Sequence, residues 1–290
     1  MTDRAKIANV KSLAELQREK TQRRSAKTGR SLVPVGKRAP GSRHLLRAAN
    51  DSASLAEKLQ AELARMDEPM LFNEEQLDLL GIIHPRSKNR AIIDAMRQLR
   101  TKLYQLKPDR NFSVLVTPAV PEAGGTFVSM NLAATIAFDQ ARTSMLVETN
   151  MDSPVLHRLL KVLGREDAKG LLEYLESPYV EVEQIVNPSG VPRMRVIPVG
   201  AHSGLSAEHF SSARYRQLMM EITHRYDNRY IVVDGPALSN SADAAILSDL
   251  CDYTVIVVPY GGVTPSTLNS MIDEIDERKL AGIVINNQPV

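Results

Sequence analysis

Apolar and polar residues alternate along the chain in blocks that predict buried strands separated by amphipathic helices. From residue 112 onward, short runs of Val, Ile and Leu are followed by segments in which apolar residues recur at helical spacing. Strands are predicted at 112–116, 145–147, 194–199, 230–233, 253–258 and 282–285. Helices are predicted at 90–107, 128–140, 212–226, 242–250 and 265–277. This order predicts an α/β fold, a doubly wound and mostly parallel sheet with helices on both faces.

The amino-terminal part has a different composition from the rest of the chain. Residues 1–50 carry 13 Lys/Arg and 3 Asp/Glu, whereas the remainder carries 23 and 31, so a basic arm precedes an acidic body. The stretch 21–49 is rich in Lys, Arg, Ser, Gly and Pro, which predicts disorder. Apolar spacing predicts short helices over 7–16 and 52–66. We therefore expect a basic, partly disordered arm over 1–70 and a folded domain over 71–290.

Composition also limits the location and the partners. The chain has one cysteine, Cys251, and no apolar run of the roughly 18–20 residues that a spanning helix needs, so a cytoplasmic location is predicted. Cys251 lies beside an apolar strand and is expected to be a core residue. The arm leaves two alternatives: a solvated tail, or contact with an acidic protein face or anionic lipid at the inner face of the membrane. Nucleic-acid binding is not expected, because no aromatic residues interleave the charges.

The segment after the first predicted strand stands where a phosphate-binding loop would lie. Residues 117–127 read TPAVPEAGGTF. Such a loop needs glycines that let backbone N–H groups surround a phosphate, a Lys, and a Ser or Thr for Mg²⁺. Gly124 and Thr126 stand at expected positions, whereas Gly125 takes the Lys position and Glu122 an early glycine position. Thr126 has two interpretations, a Mg²⁺ ligand or a helix N-cap.

These residues resemble the cytoplasmic domain of bacterial tyrosine autokinases, which are P-loop ATPases of the MinD/ParA type that accompany exopolysaccharide and capsule export. The resemblance covers residues from about 70 to 290. The family's loop reads TSA-x-PGEGKST and is followed by NLA, which stands here at 131–133. Its second motif, D-x-D-x-R-x-P, reads ETNMDSP at 148–154, and its third, D-x-P-P, reads DGPA at 234–237.

The resemblance implies roles for individual residues. ATP or ADP would be held by Gly124, Gly125, Thr126 and Asn286, and Mg²⁺ by Thr126 and Asp234. Remnants of the catalytic acidic set would be Glu148, Asn150, Asp152 and Asp234. The family's self-association motif E-x-x-R-x-x-R corresponds to Asp94, Arg97 and Arg100.

Simpler alternatives exist for each of these groups. Asp234 can cap a turn, Glu148 and Asp152 can lie in a solvated loop or act as a general acid and base, and the arginines can form a solvated helix face. The six histidines show no metal-ligand spacing, which favours surface or loop roles, and no metal site is predicted from Cys or His.

The changed motifs predict a catalytically degenerate relative. The Lys and the Asp pair are altered, and no tyrosine follows Tyr260, where the family has a phosphate-acceptor cluster. We expect a regulator of exopolysaccharide synthesis and export that forms homo- or hetero-oligomers and binds a transmembrane polysaccharide co-polymerase. The alternative is an active ATPase or protein-tyrosine autokinase with a remodelled loop and a cation from elsewhere, for which Arg142 and Lys161 are candidates.

Overall fold

An eight-stranded sheet forms the centre of the molecule in a computed structural model, which describes residues 9–12, 72–84, 86–108, 110–162, 165, 167–200 and 208–288. The strands are β1 (Asn9–Ser12), β2 (Ser113–Pro118), β3 (Thr143–Glu148), β4 (Asn187–Pro188), β5 (Met194–Ile197), β6 (Arg229–Asp234), β7 (Tyr253–Pro259) and β8 (Leu280–Asn286). Their order is β1-β8-β7-β2-β6-β3-β5-β4. The strands from β8 to β5 are parallel, and β1 and β4 pair antiparallel at the two edges.

Ten helices are described. They are α1 (Glu74–Leu79), α2 (Arg90–Leu106), α3 (Gly125–Ala137), α4 (Val155–Val162), α5 (Leu171–Glu176), α6 (Val182–Ile185), α7 (Glu208–Ser211), α8 (Ala213–His224), α9 (Asp243–Leu250) and α10 (Pro265–Asp273). In the part of the chain that the structure covers, no helix combines the length and apolar character needed to cross a membrane.

The two faces of the sheet are buried in two separate apolar clusters. Along β2, Val114 and Val116 belong to one cluster with residues of α2 and α3, whereas Leu115 belongs to the other with residues of α5 and α8. Because successive strand residues point to opposite faces, both faces of β2 are covered and all six of its residues are buried. The predicted doubly wound α/β fold is confirmed.

Most predicted elements are present with shifted ends. The helix predicted over 128–140 is α3 at Gly125–Ala137, and the one predicted over 265–277 ends at Asp273. The short helices α1 and α4 to α7 and the two-residue strand β4 were not predicted. They have too few residues for a periodic pattern to develop.

The helix predicted over residues 7–16 is wrong where the structure describes it. Residues Asn9–Ser12 form β1, and Val10 lies opposite Val284 of β8. An isolated helix of about ten residues is marginal, whereas the open edge of β8 supplies ladder hydrogen bonds. The helix predicted over 52–66 lies outside the described residues, so the domain division stays a prediction.

The segment that precedes α2 is fastened to α3 by one buried side chain. Asn131 accepts a hydrogen bond from Ile83 N at 2.7 Å and donates to the carbonyls of Gly81 at 3.0 Å and Phe127 at 2.9 Å. Its side chain is 1% exposed. Asn131 therefore fixes residues 81–83 against the middle of α3, beside the start of α2.

Candidate functional site

The carboxyl ends of the central strands gather most of the residues selected from the sequence. The loop 119–124 follows β2, Glu148 and Asp234 end β3 and β6, and Asn286 ends β8. Glu148 and Asp234 lie directly opposite each other in the parallel pair. This edge of a doubly wound sheet is where ligands of such folds bind.

The backbone of the loop retains the shape that a phosphate-binding loop requires. Gly124 is the N-cap of α3 with φ at 88°, a left-handed conformation that glycine adopts without strain. Glu122 also has a positive φ of 61°, at the position where the resembling motif has glycine. No side chain caps the start of α3. The N-cap interpretation of Thr126 is therefore wrong, because Thr126 is the second residue of the helix.

Gly125, at the position of the motif lysine, packs directly against Pro118. A Cβ atom built on Gly125 would lie 2.8 Å from Cδ of Pro118, closer than real Cβ contacts come. The resembling motif has serine at the position of Pro118, so both partners of this contact depart from it. Sequence reasoning overlooked Pro118, since nothing in the sequence shows which side chain faces Gly125.

The Asn286 side chain contacts the backbone of the loop 119–124. Its Nδ2 donates to the carbonyl of Ala123 at 2.9 Å, and a Cβ atom on Gly124 would lie 2.1 Å from Nδ2. The side chain is fully buried, and Oδ1 makes no hydrogen bond to any residue described in the structure. Asn286 therefore supports the backbone of residues 123–124. The adenine contact that the resemblance implies stays a prediction.

Asp234 is a buried carboxyl group facing the first turns of α3. The Ser129 hydroxyl donates to Oδ1 at 2.8 Å, and the residue is 1% exposed. Burial raises the pKa of Asp234 from 3.8 to about 7, opposed by the hydroxyls of Thr126 and Ser129 and reinforced by the charge of Glu148. Although Thr126 is close enough to influence this pKa, Oδ2 makes no hydrogen bond of good geometry within the described residues. The Asp234 carboxyl group thus faces α3 instead of capping the turn after β6.

The Glu148 carboxylate accepts hydrogen bonds from two backbone N–H groups. One carboxylate oxygen accepts from Leu156 N at 2.6 Å and the other from Val199 N at 3.0 Å. Because Glu148 is fully buried, the solvated-loop interpretation is wrong for this residue. Asp152 is exposed, and its charge adds to the effect of burial, which raises the pKa of Asp243 at the start of α9. Asn150 is half-buried. The predicted Glu148/Asp152 pair therefore occupies two unlike environments.

Arg142 does not replace the missing lysine. Its guanidinium carbon lies 3.7 Å from the centroid of the Tyr104 ring, and Nη1 lies 3.4 Å from a carboxylate oxygen of Asp139. Arg142 precedes β3, whereas the loop lies at the carboxyl end of the sheet, roughly 20 Å away along a six-residue strand. This candidate was wrong. Lys161 lies in α4, but its side chain is outside the described part of the structure.

The three residues of the self-association motif have different environments on α2. Asp94 and Arg97 are exposed. Arg100 is half-buried, and its Nη1 donates to the carbonyl of Thr135 at 2.9 Å near the end of α3. Arg100 therefore supports the α2–α3 contact, and Arg97 and Asp94 remain accessible.

The site fits a nucleotide and Mg²⁺ only in part. The uncapped start of α3 offers N–H groups to an anion, and Asp234 retains an oxygen without a hydrogen bond. The lysine position is glycine packed on Pro118, and Glu122 exposes a carboxylate on the loop. Over the residues with assigned structure, no group of three or more His, Cys, Asp or Glu is arranged to hold a metal ion.

Comparison with known proteins relates this fold and its motifs to one group. No protein-family model matches the chain. The tyrosine-protein kinase wzc of Salmonella typhimurium is 27% identical over 216 residues, 73% of this chain and 29% of that protein. The tyrosine-protein kinase etk of Escherichia coli is 25% identical over 231 residues, 77% of this chain and 30% of that protein. The chain thus spans less than a third of the length of these relatives.

Solved structures give the same result for the fold. The kinase domain of Escherichia coli tyrosine kinase ETK superposes with a TM-score of 0.63 at 23% identity, covering 77% of this chain and 85% of that one. The chimerical protein CapA2B2 superposes with a TM-score of 0.63 at 19% identity, covering 76% and 100%. With the loop, the paired acidic strand ends and the shared order of elements, these similarities identify the chain as a homologue of the bacterial tyrosine-protein kinases, built on their P-loop ATPase fold.

Proposed function

We propose that this domain is a catalytically degenerate tyrosine-kinase homologue that acts by docking rather than by phosphoryl transfer. The observation that supports this most directly is the contact between Gly125 and Pro118. The position of the motif lysine has no side chain, and the space where one would begin is occupied by a proline ring. A lysine at position 125 would therefore require the Pro118 ring or the start of α3 to shift.

The energetic consequence concerns the charge that develops during phosphoryl transfer. Catalysis of this reaction depends mainly on positioning and on neutralising negative charge. Removing one electrostatic stabiliser costs roughly 2.7–4 kcal/mol of transition-state stabilisation. Glu122 adds a negative charge on the same loop, and both oxygens of Glu148 are engaged by backbone N–H groups. These features all weaken a nucleotide site.

The homology and the resemblance noted above support a proposed biological role. Bacterial tyrosine autokinases accompany exopolysaccharide and capsule export, so a regulatory role in that machinery is the proposed setting. The proposed partner is a transmembrane polysaccharide co-polymerase, met from the cytoplasmic side, with the basic arm available to anionic lipid. We propose that the interface with this partner includes Asp94 and Arg97, which are exposed on α2.

Calorimetric titration with ATP and Mg²⁺, paired with a hydrolysis assay, tests the loss of activity. We expect the unmodified chain to show neither micromolar binding nor turnover. The matched variant is the double substitution Pro118→Ser with Gly125→Lys, which restores the motif residues and removes the steric conflict. Pro118→Ser alone is the control. Micromolar binding with turnover in the unmodified chain would refute the proposal.

The second candidate is an active ATPase, and one observation favours it. Asp234 retains a buried oxygen without a hydrogen bond beside Thr126, where the resemblance implies Mg²⁺. If this candidate holds, the unmodified chain binds Mg²⁺ and ATP, and Asp234→Asn removes that binding. Binding that is equal in both proteins would contradict it.

A further inference from the structure

A cavity of about 650 Å³ lies between α2, the carboxyl end of α3 and residues 83–84. Its lining combines apolar side chains with polar ones, among them Ile83, Ile93, Phe138, His84, Arg97 and Arg100. No residue of the loop 119–124 lines it, so the cavity is separate from the candidate nucleotide site. Its volume lies in the range of sites that enclose a small ligand.

Hydrogen bonds fix the residues around this cavity in place. Residues 81–83 are fastened to α3 by the buried amide described above. His84 N donates to Ser87 Oγ at 2.9 Å, and Ser87 N donates to the His84 carbonyl at 2.9 Å. Arg100 Nη1 donates to the Thr135 carbonyl at 2.9 Å, which holds the guanidinium group beside α3. A ligand would therefore meet a preformed site and order little of it on binding.

The cavity has an excess of positive charge. Among the residues that the structure describes, none forms an ion pair with Arg97 or Arg100. Asp139, the acidic residue of the lining, has a carboxylate oxygen 3.4 Å from Arg142 Nη1 instead. Arg100 Nε is also buried without a hydrogen bond to a described residue. An anion in the cavity would therefore meet two guanidinium groups with little local compensation.

His84 supplies a second, independent indication of a ligand. The sequence favoured a surface or loop role; His84 lies in the connection from α1 to α2 but is only 4% exposed. Its Nε2 lies 3.1 Å from Asp78 Oδ1, whereas the buried Nδ1 has no hydrogen bond with any described residue. Buried polar atoms are normally paired, so Nδ1 is available to a polar group of a molecule bound in the cavity.

We propose that this cavity binds a small phosphomonoester that carries an apolar portion. The phosphate group would pair with Arg97 and Arg100, and the apolar portion would lie against Ile93 and Phe138. A phosphomonoester carries about −1.5 to −2 charges at pH 7, which matches two uncompensated guanidinium groups better than the single charge of a carboxylate does. Guanidinium groups also present paired donors that fit phosphate oxygens. A soluble phosphate ester and the headgroup of phosphatidic acid share this chemistry.

Calorimetric titration of the full chain with phenyl phosphate, without ATP, tests the proposal. We expect a dissociation constant on the order of 0.1 mM, the range for a ligand of this size. Arg97→Gln and Arg100→Gln should each weaken binding about tenfold or more, because each removes a charged hydrogen-bond donor. Arg90→Gln, at an exposed arginine of α2 outside the lining, is the matched control and should leave the affinity unchanged. Benzoate, with the same ring and one charge, should bind about tenfold more weakly.

Amide chemical shifts locate the bound molecule. Phenyl phosphate should shift the resonances of residues 83–84 and 97–100, and leave the loop 119–124 unchanged. Vesicles of phosphatidylcholine with phosphatidic acid distinguish the two sources of the phosphate. Vesicle binding that Arg97→Gln weakens would assign the site to a lipid headgroup, whereas equal vesicle binding by both proteins would assign it to a soluble ester.

Three results would overturn the inference. Phenyl phosphate could fail to bind, it could bind equally to the unmodified protein and to both arginine variants, or it could shift only the loop 119–124. Arg97 is exposed, so Arg97→Gln keeps the test valid even if Arg100→Gln disturbs the contact with Thr135. Because no step involves ATP, failure of this inference is distinguishable from failure of the proposed loss of catalysis.

Discussion

Gly125 and Pro118 lie so close that a Cβ atom on the glycine would be 2.8 Å from Cδ of the proline. Both residues differ from the motif that the surrounding loop resembles, one in place of lysine and one in place of serine. The proline ring at position 118 leaves no room for a side chain at position 125, and glycine at position 125 leaves room for that ring. The two changes are therefore best understood as a single structural change. The proline ring fills the volume at the start of α3, and glycine is the residue that tolerates it.

This relationship predicts coupled effects on folding stability. Gly125→Ala should destabilise the protein by about 1–3 kcal/mol, since the added methyl group overpacks a buried contact. With Pro118→Ala present, the same substitution should cost much less. Urea denaturation of both single variants and the double variant gives the coupling energy, expected to be roughly 1–2 kcal/mol. Additive effects would mean that the helix start shifts freely and that the contact does not constrain position 125.

The close contact between Gly124 and Asn286 predicts that a side chain at position 124 destabilises the protein. Gly124→Ala should be more damaging than Gly125→Ala, because Gly124 combines a φ of 88° with a 2.1 Å approach to Asn286 Nδ2. We expect a loss of about 3 kcal/mol or more of unfolding free energy, from backbone strain plus overpacking. Asn286→Ala in the same background should recover the steric part alone. Thermal unfolding of the variants is the measurement, and equal destabilisation at both glycines would contradict the assignment.

The raised pKa of Asp234 predicts a stability that depends on pH. The folded-state pKa of about 7 exceeds the ordinary value of 3.8, so the folded protein holds this proton more tightly than the unfolded chain. The stabilisation is complete below about pH 4, decreases as the pH rises toward 7, and is lost above that value. The difference of about three units between the folded-state and ordinary pKa values of Asp234 corresponds at most to roughly 4 kcal/mol of unfolding free energy.

Asp234→Asn isolates this effect, because the amide oxygen can still accept from Ser129 while the charge is removed. Urea denaturation between pH 4.5 and pH 7.5 (roughly the interval between the two pKa values) should show the unmodified protein losing stability relative to the variant. Parallel profiles for the two proteins would show that the carboxyl group titrates normally.

The arrangement of the fold was accessible from the sequence because burial dictates composition. A strand such as β7 is covered on both faces and is therefore mostly apolar, so its residues identify it without any structural information. The prediction of an amino-terminal helix was wrong because a distant part of the chain decides the structure there. Residues 9–12 form a strand only because the edge of β8 is there to pair with, and that partner is about 270 residues away in sequence.

The candidate site was partly accessible for a similar reason. The sequence predicted Gly124 and Thr126 from the spacing of the loop and Asp234 from the family resemblance, since these positions follow strands whose order is visible. It could not identify what each side chain contacts. The contacts of Pro118, Ser129 and Asn286 join residues more than 100 positions apart or depend on the loop's exact course, and local patterns carry no information about them.

Glu148 provides a test that separates a structural from a catalytic role. Both of its oxygens accept backbone N–H groups, so Glu148→Gln places an amide N–H opposite one of those donors. The expected cost is about 1–3 kcal/mol of unfolding free energy, measured by urea denaturation. Glu75→Gln on the exposed face of α1 is the matched control and should change stability by less than about 0.5 kcal/mol. Unchanged stability in Glu148→Gln would return Glu148 to the list of catalytic candidates.

The hydrogen bonds of Asn131 predict that this side chain keeps residues 81–83 packed against α3. Asn131→Ala removes three hydrogen bonds at once and leaves the buried Ile83 N–H and Gly81 carbonyl without their partner. We expect a loss of about 2–4 kcal/mol, with faster hydrogen exchange concentrated in residues 77–84 rather than across the sheet. Asn269→Ala on the exposed side of α10 is the control and should leave exchange unchanged. Uniformly faster exchange throughout the domain would instead indicate that Asn131 supports the whole core and not this segment alone.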